Sequence, residues 1–149
     1  MLRAVLLFPL LCLALLSAPF SALAAMEIQV IGGAATQIDV AIVPFQAAPG
    51  QPAPALTEIV GSDLERSGQF RRVDTSGTPH PFVPAQVDYG VWRNRSADAL
   101  LTGQVTALPG GRFEIRFYLL DVVRQTQLAG FSYAIAPGQW RATAHQIAD

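Results

Sequence analysis

The stretch RFEIRFYLLDVV, residues 112–123, decides the fold class of this chain. Apolar and polar side chains alternate along it, and a period of two is typical of a half-buried antiparallel strand. One face would carry Phe113, Ile115, Phe117 and Leu119, and the other Arg112, Glu114, Arg116 and Tyr118. We therefore expect a strand that packs one side on a core.

Two more strands are predicted beside this one. ADALLTGQV, residues 97–105, precedes it across the turn ALPGGR, and LAGFSYAIA, residues 128–136, follows it across RQTQ. In the last of these, Phe131, Tyr133 and Ile135 again share a face. Three strands joined by short turns predict an antiparallel meander.

The first half of the chain predicts a central strand and a helix. IDVAIVPF, residues 38–45, is apolar on both faces, as in a strand covered on two sides, and Pro44 should end its pairing. Apolar residues then recur at helical spacing in Leu56, Ile59, Val60 and Leu64. Gly68 is a helix stop signal, and QFRRV, residues 69–73, can form another strand.

The remaining segments complete the predicted fold. Prolines make 74–84 an irregular stretch, whereas 85–94 could form a short helix with Val87 and Val91 inward. Trp140, Ala144 and Ile147 have helical spacing, and their helix reaches Asp149 without a cap, so we expect it to be truncated. The fold class is therefore α/β, α+β-like: a small mixed sheet with a C-terminal antiparallel meander and two to three helices.

The first 24 residues have the features of a secretory signal peptide. One basic residue is followed by an uncharged apolar block and by a small-residue cleavage site at Ala22-Leu23-Ala24. Cleavage there leaves 149 − 24 = 125 residues and removes Cys12, the only cysteine. A lipoprotein signal needs a small residue before the cysteine, but Leu11 is there. We therefore expect an exported chain without a lipid anchor or a disulfide.

Charge argues against nucleic-acid binding. Without Arg3 the chain has nine basic residues against eleven acidic ones, a net charge of −2, and its arginines are scattered. Nucleic-acid binding needs a clustered basic face that neutralises phosphates.

Residues with catalytic potential are few. His80 lies among prolines, and no metal constellation or cofactor-binding loop is visible, so we expect neither a metal nor a cofactor. Arg141, His145 and Asp149 share a helix stripe, but such stripes are most often solvated faces. An exported hydrolase would need a nucleophile such as Ser96 or Ser132 with a nearby base. Trp92 and Trp140 are expected to pack helices rather than to bind ligands.

The segment AMEIQVIGGAATQ, residues 25–37, would become the free amino end after cleavage. Its residues Glu27, Ile28, Gln29, Val30 and Ile31 form a short strand pattern, and Gly32 and Gly33 follow as a hinge. Such a strand can add to the edge of a partner's sheet. The alternative is an ordinary edge strand of the chain's own sheet.

Six segments, in this order and spacing, resemble the amino-terminal domain of the TolB family, a periplasmic component of the Tol-Pal envelope system. They are IVPF (42–45), DLERSGQF (63–70), VWRNRSADALLTGQV (91–105), GRFEIRFYLLDV (111–122), QLAGFSY (127–133) and AHQIAD (144–149). The resemblance covers essentially the whole chain after the signal and implies a mixed α/β domain at 38–149.

The resemblance also implies partners. Members of the family contact the carboxy-terminal domain of TolA through the freed amino-terminal segment, which corresponds here to 25–37. They contact the lipoprotein Pal mainly through a β-propeller, whose repeat this chain lacks, so Pal binding is not expected of this chain alone. The implied function is that of a periplasmic adapter, not an enzyme, that supports envelope integrity and cell division. The alternative is an unrelated envelope assembly adapter with a similar small α/β fold.

Overall fold

The computed structural model describes residues 37–51 and 53–149. Its strands are β1 (Ile38–Ile42), β2 (Phe70–Val73), β3 (Ala99–Ala107), β4 (Phe113–Asp121) and β5 (Thr126–Ile135). Its helices are α1 (Ala53–Arg66), α2 (Tyr89–Asn94) and α3 (Trp140–Ala148), with 3-10 turns at Pro84–Gln86 and Pro109–Gly111. The five-stranded mixed sheet and its helices confirm the predicted fold class.

The strand order is β2-β1-β3-β4-β5. β1 is parallel to both neighbours, β2 and β3, whereas the β3-β4 and β4-β5 pairs are antiparallel, as the meander requires. We call the end of the sheet where β1 begins the lower end. α1 and α3 each follow the upper end of a strand and pack side by side, and both run towards the lower end.

Two hydrophobic cores lie on opposite faces of the sheet. The larger core packs α1 and α3 against one face and includes Val40, Ile42, Leu56, Val60, Leu101, Ile115, Phe117 and Ala144. The smaller core covers part of the other face and includes Ala41, Val43, Trp92, Leu100, Leu120 and Val122. Alternate residues of β1 enter different cores, which confirms the prediction of a central strand covered on two sides.

Helix α1 ends where the sequence predicts. Gly68 has φ 75°, a left-handed conformation that glycine adopts without steric cost, and its N–H bonds to Glu65 O at 3.0 Å. The glycine therefore closes the helix and leads directly into β2.

The short helix was predicted with the wrong length, and its buried residue is Trp92 rather than Val91. Asp88 caps it by accepting a hydrogen bond from Gly90 N–H at 2.9 Å, so α2 begins at Tyr89 rather than at residue 85. Trp92 in this later helix is buried, 1% exposed, whereas Val91 is half-buried. Val87, which precedes the helix, is half-buried and packs against the smaller core, as predicted. The large ring removes more apolar area from water than either valine could, and it fills the smaller core.

Candidate functional site

The residues predicted to bind a partner, Glu27 to Ile31, and the hinge Gly32-Gly33 lie outside the described part of the chain. The described chain begins at Gln37, whose side-chain amide donates to Gly68 O at 3.1 Å. Ile38 N–H donates to Gln69 O at 2.9 Å. Both bonds tie the start of β1 to the start of β2 at the lower end of the sheet.

Charged side chains fix the start of β1. Arg71 donates two hydrogen bonds to the carboxylate of Asp39, at 2.6 and 2.5 Å. These bonds hold the pKa of Asp39 below its usual range. Asp98 accepts from Asp39 N–H at 3.1 Å, so one carboxylate also links β1 to the chain just before β3. The first strand is thus anchored from residue 37 onwards by contacts that involve no earlier residue.

The helix stripe of Arg141, His145 and Asp149 does not assemble a catalytic group. Nδ1 of His145 hydrogen-bonds the carboxylate of Asp63 on α1, and Arg66 donates to the same carboxylate. The hydrogen bond from His145, and then that from Arg66, lowers the pKa of Asp63. The histidine therefore joins two helices. Asp149 meets His145 only through an ordinary helical bond, from its N–H to His145 O at 3.2 Å.

The two serines of the hydrolase alternative are not placed as nucleophiles. Ser132 donates its hydroxyl proton to Glu114 at 2.7 Å, and Arg116 donates to the same carboxylate at 3.0 Å. These bonds lower the pKa of Glu114, with the larger effect from Ser132. Ser96 follows α2 with φ 58°, and its N–H bonds to Arg93 O. Neither hydroxyl contacts a histidine within the described residues.

The described residues contain no group of three or more His, Cys, Asp or Glu side chains that could hold a metal. His80 is exposed outside any helix or strand, as predicted. Over the same residues, none of the helices combines the length and apolar character needed to cross a bilayer.

An apolar cavity of 350 Å³ opens at the lower end of the sheet, on the side of α1 and α3. Its wall includes Leu64, Phe70, Phe117, Phe131, Ile147 and Asp149. We call it the lower cleft. The ring centroids of Phe117 and Phe131 lie 5.7 Å apart, and Phe131 remains 54% exposed. Sequence reasoning placed these aromatics on a core-facing strand but did not identify the cleft.

β5 forms one edge of the described sheet. Its ten residues, TQLAGFSYAI, include no charged residue and no proline, and Leu128 and Phe131 are exposed. Edge strands usually carry charges, prolines or bulges that block pairing with another chain. Pairing with β4 does skip Leu128, because Ala129 pairs with Leu119 and Gln127 with Leu120. The absence of charged residues from this run is the sequence signal that could have identified an exposed edge strand.

The chain matches the family model of the TolB amino-terminal domain over residues 26–128. It is 61% identical to the Tol-Pal system protein TolB of Thiobacillus denitrificans, across all of this chain and 35% of that relative. It is 47% identical to the protein of the same name from Nitrosomonas europaea, across 87% of this chain and 30% of that relative. The chain thus spans about a third of the length of these relatives.

Solved structures agree with this assignment. The crystal structure of TolB from Acinetobacter baumannii superposes with a TM-score of 0.63 at 28% identity, over 76% of this chain and 27% of that one. The carboxy-terminal domain of LpoB from Salmonella enterica gives a TM-score of 0.54 at 15% identity, over 70% and 87% of the two chains, which shows a shared fold alone. By its family model, its relatives and its fold, the chain belongs to the TolB family, through that family's amino-terminal domain.

Proposed function

We propose that this chain is a periplasmic adapter of the Tol-Pal system that binds the carboxy-terminal domain of TolA. The segment Glu27 to Ile31 would provide a strand to the edge of TolA's sheet, and Gly32-Gly33 would let it leave the domain. Main-chain hydrogen bonds would give this contact its affinity, and alternate side chains its specificity. The family membership and the predicted export signal support the proposal, as does the name of the relatives, Tol-Pal system protein TolB.

One observation carries the proposal: the start of β1 is held by contacts among residues from Gln37 onwards. All five strands begin at or after Ile38, and β1 is already held by its bonds to β2 and by Arg71. Because β1 has these anchors of its own, we propose that the strand pattern at residues 27–31 is available to a partner. The proposed role is mechanical coupling between envelope layers, without catalysis, in support of envelope integrity and cell division.

The test is a calorimetric titration of the TolA carboxy-terminal domain into two forms of the chain. One form begins at Ala25 and the other at Gln37. We expect binding only by the longer form, together with equal thermal unfolding midpoints for both. Equal binding by the two forms would move the site onto the folded body, and loss of folding in the shorter form would remove the observation that carries the proposal.

A matched pair of variants separates strand pairing from side-chain contacts. Val30→Pro removes a backbone donor from the segment, whereas Val30→Ala only shortens the side chain. We expect the proline variant to lose binding and the alanine variant to bind several-fold more weakly. If both variants bind like the parent chain, the segment does not dock as a strand.

A further inference from the structure

β5 is one of the two edges of the described sheet, and most of it lacks the features that usually protect an edge strand. Charges, prolines and bulges normally prevent an edge from pairing with another chain. The ten residues Thr126–Ile135 include no charge and no proline. The bulge at Leu128 affects only the beginning of the strand, because the seven residues from Ala129 to Ile135 pair with β4 in regular register. No described strand pairs with the outer side of these seven residues.

The opposite edge of the described sheet, β2, is unsuited to pairing with its own copy. It has four residues, Phe70–Val73, and two of them are Arg71 and Arg72. In an antiparallel pair of β2 strands, arginines of one copy would face arginines of the other, and like charges directly opposite each other are destabilising. The uncharged β5 strand carries no such penalty. Of the two described edges, β5 is therefore the one that can pair with a second copy of the chain.

The aromatic side chains of β5 match those of a second copy in one antiparallel register. With Ser132 on the two-fold axis, Phe131 of each copy lies opposite Tyr133 of the other. Both rings already flank Phe117 of β4, at centroid distances of 5.7 and 6.0 Å. A second copy would extend this aromatic cluster across the axis, and cross-strand aromatic pairs stabilise a sheet.

The other face of β5 carries small side chains over the same stretch. Gly130 and Ser132 line this face together with Tyr118 of β4, whereas Phe131 lies on the side of the lower cleft. In the same register, Gly130 of each copy would lie opposite Ala134 of the other. These side chains leave the approach of a second strand unobstructed on this face.

We propose that two copies of the chain associate through β5, antiparallel over Ala129 to Ile135, to form one continuous sheet of ten strands, five from each copy. The contact is two-fold symmetric, so it uses both β5 edges and closes at the dimer, with β2 at each end of the joined sheet. It lies in the plane of the sheet and involves neither the interior of the lower cleft nor the end of α3. It is also independent of the TolA contact proposed for residues 27–31.

The strand pattern at residues 27–31 of the chain itself is the competing occupant of this edge. Its five residues include no aromatic side chain that could pair with Phe131 or Tyr133. The variant Val30→Pro separates the two occupants, because proline removes a backbone donor from the segment and leaves β5 unchanged. The β5 dimer should therefore form equally well in this variant.

The first test is analytical ultracentrifugation of the chain that begins at Ala25, between micromolar and millimolar concentration. We expect a reversible equilibrium between monomer and dimer without larger species, for both the parent chain and Val30→Pro. A folded chain that stays monomeric at millimolar concentration would overturn the proposal. So would an association that Val30→Pro abolishes, because the chain's own segment would then occupy the edge.

A matched pair of lysine variants locates the contact on β5. Phe131 is 54% exposed and lies within the paired stretch, whereas Leu128 is 56% exposed and lies at the bulge before it. Phe131→Lys enters the symmetric contact twice, so it should weaken dimerisation about ten-fold. Leu128→Lys should weaken it less. Thermal unfolding midpoints show whether both variants remain folded, and an equal effect of the two lysines would place the contact elsewhere.

A cysteine variant tests the register and does not depend on a loss of association. Because Cys12 is the only cysteine and leaves with the predicted signal, an introduced thiol reports on its own position. Ser132→Cys places the two thiols at the two-fold axis, and mild oxidation with copper phenanthroline should link the two copies. Val123→Cys is the control, because Val123 is 65% exposed in the turn between β4 and β5. The axis variant should cross-link about ten-fold faster or more, and equal rates for the two variants would overturn the proposed pairing.

Discussion

His145 on α3 and Asp63 on α1 form a side-chain hydrogen bond between the two helices that cover the larger core. Each is followed in the chain by a residue of the lower cleft: Gln146 comes after His145, and Leu64 after Asp63. The bond therefore fixes the helix spacing that shapes the cleft. Together with the bond from Arg66, it lowers the pKa of the Asp63 carboxyl below its ordinary value of 3.8.

The pH dependence of stability follows from this lowered pKa. A carboxyl whose pKa is lower in the folded state stabilises the fold above its unfolded pKa, and loses that effect as the pH falls through its folded pKa. We expect Asp63→Asn to lower the free energy of unfolding at pH 7, and the difference from the parent to disappear as the pH falls below 3.8. Urea denaturation of the variant and the parent between pH 7 and pH 3 measures this difference in the free energy of unfolding.

The control for this prediction is Glu65→Gln. Glu65 is an exposed acid on the same helix that forms no ion pair within the described residues. Glu65→Gln should change the free energy of unfolding little at pH 7 and at pH 3. A loss at pH 7 that persists unchanged at pH 3 would mean that Asp63 contributes by packing and not by its charge.

Gly103 lies at a close approach between β3 and β4. A Cβ atom on this residue would lie 2.5 Å from Arg116 O and 3.0 Å from the Cβ of Phe117, so the strands would have to move apart. We expect Gly103→Ala to destabilise the protein by about 1–3 kcal/mol, the usual range for overpacking. Gly90→Ala is the control, because its added methyl meets only one side-chain atom, Oδ1 of Asp88, at 3.1 Å. Equal losses for the two variants would contradict the close approach.

Variants of Trp92 and Val91 test which side chain anchors α2 to the smaller core. Truncation of a buried aromatic costs about 3–5 kcal/mol, so Trp92→Ala should destabilise the protein strongly, and Trp92→Phe should destabilise it less. Val91→Ala, at a half-buried position, should cost less than about 1.5 kcal/mol. Chemical denaturation monitored by far-ultraviolet circular dichroism compares the three variants. A larger loss for Val91→Ala than for Trp92→Phe would restore the original prediction that Val91 faces inward.

The sequence predicted the elements with a clear period and missed features that depend on tertiary contacts. The alternation of β4 and the helical spacing in α1 report burial directly, so both were located correctly. The start of α2 depends on the cap at Asp88, and its inward face depends on which side chain fills the smaller core. The lower cleft also had no local signal, because Leu64, Phe117 and Ile147 come from different elements and meet only after folding.

Thr57 connects the first turn of α1 to the chain that leaves β1. Its buried hydroxyl donates to Ala53 O at 3.0 Å and accepts from Phe45 N–H at 3.2 Å. Thr57→Val keeps the shape of the side chain but leaves the Phe45 N–H without its partner, which should cost about 1–3 kcal/mol. Thr57→Ser keeps the hydroxyl and loses only a methyl group, so it should retain more stability than Thr57→Val. Urea denaturation of both variants decides the point: if the valine variant is the more stable one, packing and not the hydrogen bond determines the role of Thr57.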